Sequence, residues 1–489
     1  MKLFRQKAFI HPFLMAALKA SSLLVFLALA PVSVLSGQEF YFGNDLSYVN
    51  EMEDCGVVYH ENGSAKDPYE MFAEHGGNLV RLRLWHTPAW YDTLNAGNRY
   101  SDFQDVKKSI GRAKNAGMQV LLDFHLSDNW ADPGKQLVPA AWLGVVDDLP
   151  LLKDSLYNYI FQTLMALHAG GLLPEMVQIG NETNKGILLS PEDNQVWTLD
   201  WERNAELFNT AIQAVRDVEA GTGAAIKVAL HVAGPADAGW LLEGFTSHGV
   251  TDFEVIGISY YWAWHQPATI EDAGNVIATL KQSYPGKAVM IFETGYIWTW
   301  ENNDNAGNII NAVHPDYAPP SPANQKRWLV DLTKEVMAKG GTGVIYWEPA
   351  WVSSPCFTQW GQGSHQEHAT FFDFENNLLP DGGMFWMSYN YTTSDMERTP
   401  PAGFRVSLAE GQRTLLITLE NVRVDSTFQV SVFDAAGRLV VEKKVEALPG
   451  GSGQFQLPLP VVPAGGYSII LSSGGILAGS EKFVIAPSK

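Results

Sequence analysis

The chain has 489 residues, more than one ordinary domain, and 46% are hydrophobic, enough for a large core. A formal net charge of −20 argues against nucleic acids and anionic membranes as partners and is no obstacle to a neutral polymer. The chain is rich in Trp (16), Tyr (17) and Phe (24), which fill a core or offer flat stacking surfaces.

Residues 1–37 read as a secretory signal peptide. Lys2, Arg5, Lys7 and Lys19 make a positive start, Ser22 to Ala30 is the apolar core, and Ser36 is a small residue before Gly37. The apolar run is about half the roughly 20 residues that span a bilayer, so a membrane anchor is the weaker reading. No later stretch looks transmembrane, and a secreted or cell-surface location is expected. Export also permits oxidation of the two cysteines, Cys55 and Cys356.

Eight segments then read as buried strands ending in polar residues: Phe40 to Asn44, Leu79 to Leu84, Gln119 to Phe124, Met176 to Gly180, Lys227 to His231, Phe253 to Tyr260, Lys287 to Glu293 and Gly343 to Glu348. Most are apolar without alternation, as in a parallel sheet covered on both faces. Helical spacing is clearest over Asp105 to Ala116, Leu151 to His168, Asn204 to Glu219 and Gln325 to Lys339. Eight alternations over 38–390 fit an α/β fold, a (β/α)8 TIM barrel; an open doubly wound sheet would pair its end strands differently.

In a barrel, residues after each strand share one mouth. This gathers Asp45; Arg81, Arg83, Trp85 and His86; Asp123, His125, Asp128 and Trp130; Asn181 and Glu182; His231; Tyr260, Tyr261, Trp262 and His265; Glu293; and Trp347 and Glu348. Cys55 follows the first strand and Cys356 the last, so a disulfide can tie them only if the barrel closes; free cysteines are the other reading. The loop after strand seven, with Glu301, Asn303, Asp304 and Asn305, offers oxygen ligands for calcium but no established calcium spacing, and a solvated loop is the default. Residues 391–401 read as a linker, and the short alternating segments of 402–489 as a small β-sandwich.

Two glutamates at strand ends, Glu182 and Glu293, are what acetal cleavage needs: one carboxyl gives a proton to the leaving oxygen and the other attacks the anomeric carbon. Arg81 or Arg83, two residues apart and so facing the same way, is expected to keep Glu293 ionised, with a plain structural salt bridge as the competing explanation. Tyr260 or Tyr261 could donate to it. His125 and His231 are candidates for sugar hydroxyls or for orienting carboxylates, or are simply packed. Trp85, Trp130, Trp262 and Trp347 are candidate sugar platforms, two of which are expected to serve.

Taken together, Glu51 to Tyr59, Val80 to Trp85, Asp123 to His125, Asp128 to Gln136, Gln178 to Glu182, Ile258 to Tyr261 and Glu293-Thr294 resemble the arabinogalactan endo-β-1,4-galactanases, glycoside hydrolase family 53. The resemblance implies a retaining enzyme acting on β-1,4-galactan, with Glu182 as general acid/base, Glu293 as nucleophile, Asn181 binding the substrate 2-hydroxyl, and no required cofactor. Thr183 departs from the apolar residue that many relatives carry there. Another retaining β-glycanase acting on mannan or glucan, and a non-catalytic surface glycan-binding protein, are the alternatives. The tail, through Val430 to Val440 and Pro463 to Tyr467, resembles C-terminal sorting domains of type IX export, which implies a contact with secretion machinery. A monomer is expected.

Overall fold

The computed structural model describes residues 40–391 and, beyond them, 403–408, 414–420, 428–434, 438–445, 453–473 and 476–485. The signal-peptide reading of 1–37 and nearly all of the linker lie outside the described residues.

Eight parallel strands close into a barrel: β1 (Tyr41–Asp45), β2 (Leu79–Leu84), β3 (Gln119–Phe124), β4 (Met176–Ile179), β5 (Lys227–Ala233), β6 (Val255–Ser259), β7 (Ala288–Glu293) and β8 (Gly343–Tyr346). Closure is the pairing of β1 with β8, Tyr41 opposite Gly343 and Gly43 opposite Ile345. At Gly43 a Cβ would sit 2.6 Å from Ile345 Cγ1, so the seam needs glycine there. Outward residues such as Val120, Leu122 and Phe124 pack under the helices, and an inward apolar layer (Leu79, Leu121, Met176, Met290, Phe292 and Ile345 among them) fills the barrel below its mouth.

After two short helices, α1 (Val49–Asp54) and α2 (Pro68–Glu74), the expected helices are present with longer N-terminal ends, because capping residues start them earlier than apolar spacing does; Asp102 caps the first of them, α3 (Phe103–Asn115). Asp148 accepts from Leu151 N, so α4 (Leu149–Ala169) starts two residues before Leu151, with a proline in its first turn. Asp200 and Ser321 likewise cap α5 (Trp201–Thr222) and α9 (Pro322–Ala338). Two further helices, α6 (Pro235–Ser247) and α8 (Ile270–Ser283), complete the alternation; a Thr269/Asp272 capping box opens α8. Cys55 and Cys356 are joined with Cα atoms 5.7 Å apart, tying the segments after β1 and β8 across 301 residues of chain.

The C-terminal part forms two antiparallel sheets. One orders β9 (Gly403–Leu408), β10 (Thr414–Glu420) and β13 (Gly453–Pro458); the other orders β12 (Leu439–Val445), β11 (Phe428–Asp434), β14 (Gly465–Ser473) and β15 (Ile476–Ile485). Leu415, Ile417 and Leu457 from the first meet Val430, Val432 and Ile469 from the second in one small core, the sandwich expected. β15 has no counterpart among the expected segments.

Candidate active site

Glu182 stands just beyond β4, and local backbone aims it. Gly180 has φ +71°, and a Cβ there would meet Thr183 Cγ2 at 2.7 Å and Ile187 Cγ2 at 2.9 Å. Glu182 itself has φ +48°, a left-handed conformation uncommon outside glycine and typical of strained functional positions. The turn is held by Thr183, whose N–H and hydroxyl both donate to His231 O, at 3.0 and 3.1 Å. The Thr183 departure thus places a buried hydroxyl on a buried carbonyl. Gln136 Nε2 fixes the same turn by donating to Asn181 O at 2.8 Å.

Glu293 reaches the mouth through an irregularity in β7. Ile258 pairs with Ile291, but Ser259 pairs with Glu293, so Phe292 is the extra residue. Phe292 fills the inner core beside Gly257, where a Cβ would lie 2.2 Å from its ring, and the following residue is turned to the cleft.

Of the two arginines on β2, Arg81 meets the nucleophile candidate. Its Nη1 donates to Glu293 Oε1 at 2.8 Å and to Asp45 Oδ2 at 2.9 Å, its Nη2 to Asp123 Oδ2 at 2.9 Å and Asn181 Oδ1 at 2.6 Å, and its Nε to Gln178 Oε1 at 3.0 Å. Arg83 instead pairs with buried Glu348 at 3.0 Å and lies among the rings of Tyr48, Trp85 and Trp130. Tyr261 donates to Glu293 Oε2 at 3.2 Å. Tyr260 is on the opposite face, donating to Ala268 O and stacked on Trp328 of α9, so it does not reach the nucleophile. Strand alternation explains the difference, since Ser259 and Tyr261 share the inward face.

Both carboxyls are pushed upward, chiefly by burial. Glu182 is raised to about 8, with the Glu293 charge as the second cause. Glu293 is raised to about 7, with Arg81 opposing the rise and Asp45 and Asp123 adding to it. Because Arg81 bonds Glu293 and not Glu182, Glu293 is the one that ionises first.

The two glutamates line one cavity of about 250 Å³ with Trp130, Asp132, Asn181, Tyr261, Trp264 and Trp347 among its walls. A broader hollow of about 560 Å³ shares Trp130, Asp132, Trp264 and Trp347 and adds Trp351, Trp360 and His365. Together they form a trough walled by indole faces. Trp264 and Trp360 are largely exposed and were not among the expected platforms. The sequence Trp262-Ala263-Trp264 offers two tryptophans without saying which faces the trough. Trp262, expected as a platform, packs against His314 instead, because the short helix α7 (Trp262–His265) turns it aside. Trp85 is fully buried behind Trp130 and is also no platform.

Apart from His265, the remaining expected residues support rather than line the cavity. Asp123 accepts from Arg81, His125 and Gln178 and is fully buried. His125 Nδ1 lies 2.8 Å from Asp123, and its burial lowers the imidazole's pKa. His231 is wholly buried against Asn181 and Ser259, so it contacts no sugar. His86 is half-buried between Trp142 and Tyr159 near Asp128, which itself accepts from Thr87 N and Ala140 N. His265 borders the cavity and holds the Tyr261 backbone. Glu348 is buried on Arg83 and lines neither cavity.

The 301–305 loop, expected as a calcium candidate, is closed by its own acids. Asp304 accepts from Ala306 N and Ser364 N, Glu367 accepts from Asn303 N, and Asn305 donates to Gln362. Among the described residues no three His, Cys, Asp or Glu side chains are gathered as a metal set.

Comparison with known proteins agrees with this geometry. The Glycosyl hydrolase family 53 profile matches residues 41–385. An arabinogalactan endo-β-1,4-galactanase of Cellvibrio japonicus (strain Ueda107) is 47% identical over 366 residues, covering 74% of this chain and 94% of the relative. An endo-β-1,4-galactanase of Bacillus subtilis (strain 168) is 35% identical, covering 71% of this chain and 86% of the relative. The solved family 53 catalytic domain of Ignisphaera aggregans superposes with a TM-score of 0.64 at 32% identity, covering 74% of this chain and 99% of that one.

Proposed function

The chain belongs to glycosyl hydrolase family 53, and from that premise we propose that Glu182 and Glu293 carry out a two-step, retaining hydrolysis of β-1,4-galactan. The family and its named relatives make the protein an endo-β-1,4-galactanase.

In the first step the Glu293 carboxylate attacks the anomeric carbon while the Glu182 proton passes to the leaving glycosidic oxygen, giving a galactosyl ester on Glu293. In the second, the Glu182 carboxylate takes a proton from water, the water oxygen attacks the anomeric carbon and the ester bond to Glu293 breaks. Two inversions give retention. Arg81 and Tyr261 hold the nucleophile's oxygens. Asn181 Nδ2 donates one hydrogen to Ala131 O at 2.8 Å and directs the other to the sugar 2-hydroxyl. The reaction runs on carboxylates and water and requires no cofactor. The indole-walled trough accepts a chain on both sides of the scissile bond, which suits internal cleavage in arabinogalactan and pectic side chains.

The observation that carries the assignment is the placement of Glu182 and Glu293 on one cavity with Arg81 bonded to Glu293. It is tested by incubating the protein with galactan, arabinogalactan, mannan, xylan and cellulose and sizing the products. Mid-chain shortening of the two galactan substrates is expected; cleavage of mannan, xylan or cellulose instead would overturn the substrate class.

Export is part of the same proposal. The signal-like residues 1–37 and the sorting-domain resemblance of 402–489 support secretion with removal of both ends, and the intact mass of protein recovered outside the cell tests it.

A further inference from the structure

The hairpin that carries Trp360 to the trough pairs Phe357–Thr358 with Gly361–Gln362, and Gln359 and Trp360 make its tip. Trp360 walls the broader hollow but not the cavity that holds the two carboxyls, so it faces sugar units away from the scissile bond. The base of the hairpin is tied to the end of α1 through the Cys55–Cys356 disulfide. One covalent point leaves a short hairpin free to swing about it. A second point is needed to aim its tip.

Asn95, in the loop after β2, has the bonds of that second point. Within the hairpin Gly363 N donates to Cys356 O at 2.9 Å, and at Phe357, the next residue, both backbone groups face outward. Phe357 N donates to Asn95 Oδ1 at 2.7 Å, and Asn95 Nδ2 donates to Phe357 O at 2.9 Å. A backbone N–H only donates, so the atom it meets is the amide oxygen, and this fixes which way round the amide stands. The side chain thus pairs both backbone groups of one edge residue, as a neighbouring strand would. The second hydrogen of Nδ2 goes to Glu51 Oε1 at 2.8 Å, and Glu51 Oε2 accepts from the Tyr91 hydroxyl at 2.8 Å. Glu51 is buried on α1, one turn before Cys55. The same helix therefore holds the hairpin by two routes, a covalent one through Cys55 and a hydrogen-bonded one through Asn95. The Asn95 backbone has φ +42°, a left-handed conformation that asparagine adopts more readily than other residues with a side chain.

We propose that Asn95 is a positioning residue for substrate length: its amide clamps the 357–362 hairpin to Glu51 and so holds the Trp360 indole where it stacks on galactan units beyond those at the carboxyls. The inference rests on the trough holding galactan. Asn95 touches no sugar; it acts through Trp360, and its effect vanishes where Trp360 is gone.

The test has three arms. Asn95→Gly keeps the left-handed backbone accessible and removes the amide. Its KM for long galactan should rise by about 3- to 10-fold, the worth of one aromatic stacking contact, with kcat changed by less than about twofold. Asn95→Asp keeps the acceptor for Phe357 N but loses both donors, so it should show a smaller rise of the same kind. An unchanged KM in these variants, or a loss confined to kcat, overturns the proposal.

The second arm repeats Asn95→Gly in a Trp360→Ala background. Trp360→Ala should itself raise KM for long galactan, and the added glycine should then change it no further. A merely structural role would persist in that background. If Asn95→Gly raises KM by the same factor with and without Trp360, the proposal is overturned. The third arm is hydrogen exchange in the unmodified protein, which requires no variant to fold. The Phe357 amide should exchange at least about tenfold more slowly than an unbonded one, and unprotected exchange overturns the clamp. This arm is independent of turnover. Failure of the galactan reading would appear differently, as no cleavage of galactan by the unmodified protein.

Discussion

Arg81 and Arg83 sit two residues apart on one strand, face the same way and are equally buried, yet they do different work. Arg81 spends its guanidinium on oxygens: Glu293, Asp45, Asp123, Asn181 and Gln178 surround it. Arg83 has one carboxylate, Glu348, and three aromatic rings within 4.2 to 4.8 Å. One layer of the barrel mouth is an electrostatic cluster centred on Arg81 and the Glu293 carboxyl. The other is the rear support of Trp130, whose indole walls the trough. Residue type and strand parity are shared; what differs is the set of partners brought in by neighbouring strands.

The comparison breaks most visibly at the nucleophile. Glu293→Gln should lower kcat by about 10⁴-fold or more with the fold intact, read by reducing-end release from galactan and circular dichroism. The same change should lower the pKa of Glu182 from about 8, because the Glu293 charge is the second cause of its rise; a ¹³C titration of the Glu182 carboxyl reads it.

Arg81→Lys comes next. A lysine keeps the charge but not the fork that reaches five oxygens, and kcat should fall by about 10²- to 10³-fold. Activity requires Glu293 ionised, and Arg81 lowers its pKa. Weakening that contact raises the pKa, so the acidic limb of kcat/KM should move to higher pH.

Arg83→Lys sharpens the contrast. It should raise KM for long galactan by about 3- to 10-fold through loss of the stacked support under Trp130, leaving both limbs of the pH profile in place. A shift of the acidic limb there would erase the distinction between the two layers.

The smallest catalytic effect belongs to Cys55→Ser. The disulfide closes a loop of 301 residues away from the carboxyls, so its loss should cost about 2–5 kcal/mol of stability, seen as a lower Tm, with kcat unchanged.

Much of the barrel was legible because parallel strands under two covers need unbroken apolar runs such as Val289 to Phe292, and those runs end where the mouth begins. The two glutamates and Asn181 were legible as strand-end residues. The choice of Arg81 over Arg83 was not, because residues i and i+2 share a face and the deciding partners come from β1, β3, β4 and β7. Tyr261 over Tyr260 is a matter of parity with Ser259, while Glu293 is brought to the same face by the irregular pairing at Phe292 in the neighbouring strand. Trp264 escaped because a four-residue helix, α7, reorients the segment after β6. His231 was legible as a mouth residue but not as a buried one, since Ser259 and Asn181, which enclose it, come from other strands.

The central claim is that Glu293 forms a covalent bond to the sugar. It is tested most directly by incubating the protein with a 2-deoxy-2-fluorogalactoside carrying a good leaving group, which slows the second step, and locating the adduct by peptide mass spectrometry. A single galactosyl adduct on Glu293, with the anomer of the natural product retained by NMR, is the predicted result. An adduct on another residue, or an inverted product, would contradict it.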